Sequence, residues 1–462
     1  MIKDLTVGRP STTILRFALP VIGGNLFQLF YTLADTVIVG RTMGADALAA
    51  VGATGVIIYF ILCFVQGFTG GFGICLGQRF GAKDAAGMRR SVAAASLLSL
   101  FFTLAVTPAA CLLSHPILRC LNMPERIYGM AYDYMFVVLL GTGAMVFYNV
   151  ISNMMRALGD SKTPLYLLIF SSLLNIALDI IFIVPLGMGT AGAAWATVLS
   201  QLISALFCTV FAVKNFEVMR LTTADWHSAR SAFKSHLAVG LPMGLQFSVM
   251  CIGLIAMQAA VNGLGPEAIA GFTAATKVDQ LSVLVNTAFG IAISGYVAQN
   301  YGARFFRRIR AGVCACLMQL AAANILMGAL MIVCRERVVP LFVENPGKAV
   351  IGYSNDYLLV VVPFYLILGV LVILRAALQS MDDAKTPFAA CAIELVMRVT
   401  AAFWFASLFG YRGICFATPL AWIGAAALLV PVYLRTIRKF CPAGRGFVSR
   451  LRLLRVARRA AR

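Results

Sequence analysis

Gln78-Arg79-Phe80-Gly81-Ala82-Lys83 is answered about 222 residues later by Gln299-Asn300-Tyr301-Gly302-Ala303-Arg304. Outward from that pair the correspondence continues. Leu19-Pro20 matches Leu241-Pro242, Asp133-Tyr134 matches Asp356-Tyr357, and Asp160-Ser161-Lys162-Thr163-Pro164 matches Asp383-Ala384-Lys385-Thr386-Pro387. Anchors repeated in one order at a nearly constant offset mark a duplicated unit. A duplicated helix bundle with a binding site between its halves is a common way to build a transporter.

The composition agrees with a bundle in lipid, because 61% hydrophobic residues, 12% charged residues and a mean hydropathy of +0.88 do not describe a water-soluble fold. Apolar stretches of about 20 residues, enough to cross roughly 30 Å of hydrocarbon, fall near 12–39, 49–76, 91–114, 128–152, 164–186 and 189–213 in the first half. In the second half they fall near 236–262, 267–297, 311–334, 350–375, 388–409 and 413–434. The fold expected is therefore an all-α polytopic membrane protein of twelve spans in two parallel six-helix repeats. A net charge of +20 would point to nucleic acid in a soluble protein, but most of the 38 Lys and Arg fall on alternate loops. That asymmetry predicts no nucleic-acid partner, a multi-pass protein of the plasma (inner) membrane and both termini in the cytoplasm.

Residues 1–222 are expected to form the N-terminal, ion-coupling lobe and 223–440 the C-terminal lobe, with 441–462 a basic cytoplasmic tail. The tail alternates Phe447, Leu451 and Leu454 with Arg450, Arg452, Arg455 and Arg458, a pattern suited to lying on membrane lipids, specifically the anionic inner leaflet. The first apolar run is too long for a signal peptide and reads as the first span. The 12 cysteines show no C-x-x-C pairing and the three histidines no metal-ligand spacing. No P-loop or nucleophile elbow appears. The expectation is a monomeric protein that is not an enzyme and needs no cofactor beyond a coupling ion.

Carboxylates inside spans are the sharpest chemistry, since each costs several kcal/mol in hydrocarbon unless function retains it. Asp35 lies in the first span, Asn175 and Asp179 share a face of the fifth at i, i+4, and Tyr134 and Thr197 lie at similar depth. An oxygen-rich cluster of this kind shares a proton or holds sodium between Asp35 and Asp179. At matching positions the second half has Met257, Arg398 and Ala402, so ion coupling is assigned to the first lobe. Glu394 and Arg398, again i, i+4, read as a structural ion pair. Lys277 and Asp279 are cavity candidates, although their i, i+2 spacing turns them to different faces. Pro20 and Pro242 each remove a backbone hydrogen bond from the first helix of a half and mark a kink or hinge.

Pro20, Ala34-Asp35-Thr36 with Gly40, Gln78 with Gly81-Ala82, Arg156 through Pro164, Asn175 with Asp179, and Gly192 through Thr197 together resemble the multidrug and toxic compound extrusion (MATE) transporters. The resemblance covers roughly residues 10 to 435. It implies a V-shaped pair of six-helix lobes that exports small organic cations in exchange for protons or sodium. It also carries the family's first-lobe ion site onto Asp35, Asn175 and Asp179, with Tyr134 and Thr197 in the same network and Asn149 as a deeper polar position. The acidic second-lobe sodium site of some members has no match, which leaves the ion open. An acidic cavity with aromatic and methionine neighbours suits amphipathic cations, and Phe27, Tyr31, Gln246, Phe247 and Met250 are the cavity candidates. Two alternatives belong to other transporter types. A major facilitator lacks support because Phe80 stands where its loop motif needs glycine, and a lipid-linked precursor flippase would require a cationic cavity.

Overall fold

The computed structural model describes residues 4–121, 123–341 and 347–441, and all of the secondary structure among them is helical. Its first helical stretch, Pro10–Gly81, has 72 residues and would measure about 108 Å, over three times the hydrocarbon thickness. Gly44 breaks it with φ 86°. A Cβ there would meet nothing within 4 Å, so the glycine is required by its backbone conformation rather than by crowding. The two spans are α1 (10–43) and α2 (45–81). Where the sequence suggested a loop over 40–48, the chain stays helical on both sides of one residue.

Ala85–Cys120 forms α3. The fourth span, α4, consists of Glu125–Leu140 and Thr142–Ala157, bent by 44°. The bend falls at Gly141, where a Cβ would collide with the Val198 side chain. Lys162–Ile183 is α5 and Gly189–Asn215 is α6. The second half supplies α7 (Arg230–Asn262), α8 (Pro266–Gly302), α9 (Phe306–Val338), α10 (Lys348–Ser380), α11 (Lys385–Phe409) and α12 (Tyr411–Phe440). The molecule is thus a twelve-span, two-lobe membrane protein. Leu112, Val333, Leu326 and Phe101 are 80%, 79%, 73% and 72% exposed, which only a lipid surround makes favourable. The basic tail lies outside the described residues.

Between the lobes, the short helix Thr223–Ser228 is closed by a capping box in which Asp225 accepts from the Thr222 amide at 2.9 Å and hydroxyl at 2.7 Å. These bonds, with Arg89 nearby, hold the Asp225 carboxyl below the usual carboxylate range.

Two of the repeated motifs prove to be architectural. Asp160 Oδ1 accepts from the Lys162 and Thr163 amides, both at 3.0 Å, and Asp383 Oδ1 accepts from the Thr386 amide at 3.0 Å, so each D-x-K-T-P motif starts a helix. The glutamine motifs join the lobes. Gln78 donates to the Ser380 carbonyl at 3.0 Å and to Asp382 Oδ1 at 2.8 Å, while Gln299 donates to the Ala157 carbonyl at 2.8 Å. Ala157 and Ser380 end the matching helices of the two halves. A Cβ on Gly81 would collide with the Gln299 carbonyl, and one on Gly302 with the Gln78 carbonyl. Glycine in the quoted stretches therefore serves a reciprocal crossing of α2 and α8.

From that crossing the seam runs to mid-depth. Asn25 of α1 donates to the Leu284 carbonyl of α8 at 3.2 Å, and Cys63 of α2 meets Cys251 of α7. Past these contacts Tyr59 and Leu254 are 50% and 51% exposed.

Candidate ion and substrate site

In the first lobe, helical spacing aligns the acidic cluster. Phe27, Tyr31 and Asp35 fall on one stripe of α1 at four-residue intervals, as do Asn175 and Asp179 on α5. Asn175 is 1% and Asp179 0% exposed. The carboxyls of Asp35 and Asp179 lie within hydrogen-bonding reach of each other. Oδ1 of each is buried without a hydrogen-bond donor among the described residues. With its amide nitrogen turned toward Asp179, Asn175 donates to Asp179 Oδ2 at 3.2 Å, and its oxygen accepts from the Thr197 amide at 3.2 Å. The Tyr31 hydroxyl is in reach of Thr197, and Tyr134 stands close enough to couple electrostatically to Asp35, Tyr31 and Asp179.

Facing carboxylates at this separation cannot both stay ionised with nothing positive between them. A proton on one of them or a small hard cation among the oxygens resolves the conflict, and the carboxyl, amide and hydroxyl oxygens fit either. Tyr31, a cavity candidate from the sequence, stands beside this cluster. Its spacing from Asp35 was the available signal. Asn149, by contrast, donates to the Met145 carbonyl of its own helix at 2.9 Å, and Asn153, one turn on, joins α4 to Thr69 of α2 at 3.0 Å. Pro20 and Pro242 lie inside helices that run on past them.

The second lobe treats its charges differently. Lys277 is exposed and Asp279 buried, as their i, i+2 spacing requires. Asp279 faces the lobe interior, where it accepts from the Tyr365 hydroxyl at 2.6 Å and the Tyr357 hydroxyl at 3.3 Å. It is therefore not a cavity wall residue. Glu394 and Arg398 pair at 2.9 Å, and Arg375 of α10 completes a triad by donating to the other Glu394 oxygen at 2.7 Å. Arg375 also points Nη1 at the Met250 sulfur, 3.5 Å away. Gln246 accepts from Gln379 at 2.8 Å, while Phe247 and Met250 are half-buried. The sequence singled out neither Arg375 nor Tyr365 for a role, because residues far apart along the chain gave no spacing to link them. Tyr357 was legible as the counterpart of Tyr134, and both prove to stand beside a buried acid.

A family model described as MatE matches residues 20–181 and again 242–404, one match per repeat. The probable multidrug resistance protein YpnP of Bacillus subtilis is 29% identical over 381 residues, covering 82% of this chain and 84% of that protein. The probable multidrug resistance protein YoeA of the same organism is 25% identical over 390 residues, covering 80% and 81%. A solved outward-facing multidrug resistance MATE transporter of the MOP superfamily superposes with a TM-score of 0.89 at 25% identity, covering 95% of this chain and 98% of that one. With both halves matched by one family model around the same duplicated scaffold, the chain belongs to the MATE family of membrane-spanning multidrug efflux transporters.

Proposed function

We propose that this transporter is an antiporter that exports organic cations and is driven by protons or sodium entering at the first-lobe cluster. One observation carries the reading. Asp35 and Asp179 bring their carboxyls within reach of each other, and Oδ1 of each is buried with no hydrogen-bond donor among the described residues, an arrangement that favours a positive guest. Asn175, Thr197, Tyr31 and Tyr134 surround the pair and orient it. Loading of the cluster from one side and of the inter-lobe space with substrate from the other then bias a single conformational equilibrium, so the two cargoes exchange rather than travel together.

In this reading the protein is a monomer of the plasma membrane with both termini cytoplasmic, no cofactor besides the coupling ion, and a basic tail on anionic lipid. Pro20 and Pro242 are the hinge points. The seam formed by Gln78 and Gln299 then closes the cytoplasmic end. Cysteine labelling in a background lacking the native cysteines checks the orientation: Lys83, Lys162 and Lys385 should label from inside, Gly265 and Arg412 from outside. The function is tested with purified protein in liposomes, imposing sodium and proton gradients separately while a cationic dye is followed. Accumulation of dye with neither gradient, or none with either, would overturn the antiport reading.

A further inference from the structure

The chain ahead of α1 is held by the second lobe. Residues 4–9 run as a strap from the start of α1 to the Gly302 end of α8 and the Phe306 end of α9, where Leu5 is 2% exposed and belongs to the same buried apolar cluster as Tyr296, Val297 and Ile309. The main chain of Leu5 is gripped on both sides. Its amide donates to Gln299 Oε1 at 2.8 Å, and Asn300 Nδ2 donates to its carbonyl at 3.2 Å. Arg308 of α9 adds a third tie by donating from Nη1 to the Gly8 carbonyl at 3.0 Å, while its Nε donates to Asn300 Oδ1 at 3.1 Å. The turn that presents Leu5 is built locally: Asp4 Oδ1 accepts from the Thr6 amide at 2.8 Å, and Gly8 has φ 83°, a left-handed conformation that favours glycine.

These contacts converge on the seam. Gln299 is 0% exposed, and its amide is used on both sides: Oε1 takes the Leu5 amide while Nε2 donates to the Ala157 carbonyl of α4 at 2.8 Å. A glutamine amide has one acceptor oxygen and one donor nitrogen, so the strap fixes which of them faces α4. Without the Leu5 N–H, a buried carbonyl oxygen would lose its partner, which is costly. The same crossing is sealed at Cys75 of α2, whose thiol donates to the Ser235 carbonyl of α7 at 3.6 Å and which is buried with Ile74, Val239, Met243 and Ala298. Ala298 is the residue before Gln299, so Cys75 is covered by the contact that the strap supports.

We propose that residues 4–9 are a latch: with Leu5 seated and Gln299 set against Ala157, the strap holds this end of the lobe interface shut, and its release lets the lobes part there. The proposal rests on the reading that the seam of Gln78 and Gln299 closes the cytoplasmic end, but not on the cargo or the coupling ion. The strap suits the task because it precedes α1 with no helix of its own, and its hold on the second lobe consists of one apolar side chain and a few hydrogen bonds. A contact of that size biases an equilibrium between closed and open states without locking it.

The test uses the full chain with its native cysteines in everted membrane vesicles treated with a membrane-impermeant maleimide, and the labelling rate of each cysteine is read by peptide mass spectrometry. Cys75 reports on the seam, and Cys208, 0% exposed inside the first lobe, reports on general loosening of the fold. Leu5→Ala should speed labelling of Cys75 about tenfold, as expected when the closed state loses much of one buried leucine's contact, and leave Cys208 unchanged. Arg308→Gln, which removes the tie to Gly8 and spares the apolar contact, should speed it about threefold and serves if Leu5→Ala does not fold. Leu5→Met, similar in volume, should stay within about twofold of the wild type. An unchanged Cys75 rate in Leu5→Ala or Arg308→Gln, or parallel acceleration of Cys75 and Cys208, would overturn the latch alone. Labelling of Cys75 only from the opposite face, in right-side-out vesicles, would overturn the cytoplasmic placement of the seam and the latch with it.

Discussion

Asp179 and Asp279 are both buried acids, one in each lobe, and their surroundings are opposite. Asp279 receives two tyrosine hydroxyls, one at 2.6 Å, and lies near Arg398. Asp179 faces a second acid, Asp35, and has one oxygen without a donor among the described residues. A carboxylate supplied with hydroxyl donors already has hydrogen-bond partners, whereas one opposed by another carboxylate is stabilised when something positive arrives. The same scaffold thus places two facing acids in one lobe and a hydroxyl-bonded acid in the other. Duplication preserved the helices, seam and caps, and divergence fell on the polar interior.

The strongest way to break this contrast is Asp35→Asn. It removes the repulsion on which the proposed ion site rests, so gradient-driven export should fall by about 100-fold, the upper range of site-to-site coupling, in a protein that still folds. Asp179→Asn should behave nearly the same. Full export with unchanged ion dependence in either variant would remove the first lobe from the coupling mechanism.

Next in size is Glu394→Gln, which leaves Arg375 and Arg398 buried without their shared anion. A loss of about 3–5 kcal/mol of stability is expected from breaking a buried ion pair on one side, readable as a lowered thermal midpoint. Ion dependence should survive in whatever protein remains folded. If instead the variant kept its thermal stability and lost ion-driven exchange, the coupling site would have to be moved to the second lobe.

Tyr365→Phe probes the satisfied acid by deleting its shortest hydrogen bond. A stability loss of about 1.5–3 kcal/mol follows for a bond to a charged acceptor, with the sodium or proton dependence of transport unchanged. A shift in that dependence would show that Asp279 also takes part in ion binding, and the contrast between the lobes would weaken.

The smallest effect is expected at the linker, which belongs to neither interior. Because the folded state holds Asp225 below its usual range, its contribution is present above the unfolded carboxylate value and fades as pH falls through the folded one. Asp225→Asn should therefore lower the thermal midpoint by less than about 2 °C at neutral pH and remove that acidic pH dependence, leaving transport unchanged. Thermal scans from pH 7 to pH 3 in both proteins give the comparison, and a parallel acid response would rule out the capping box as its source.

By itself the sequence determined the solvent, the number of spans and the duplication, because hydrocarbon admits only helices of a set length and each apolar stretch records one locally. It also held the pairing of Asn175 with Asp179 and of Glu394 with Arg398, since four residues on a helix are one turn. Tertiary structure decided what distant stretches do to each other. Gln78 reaches Ser380 and Gln299 reaches Ala157 across the seam, Arg375 joins Glu394 from another helix, and Tyr31 stands beside the acids and Thr197. Whether a buried charge is satisfied depends on the rotation and packing of neighbouring helices, and those follow from contacts between side chains far apart in the chain that no local spacing records.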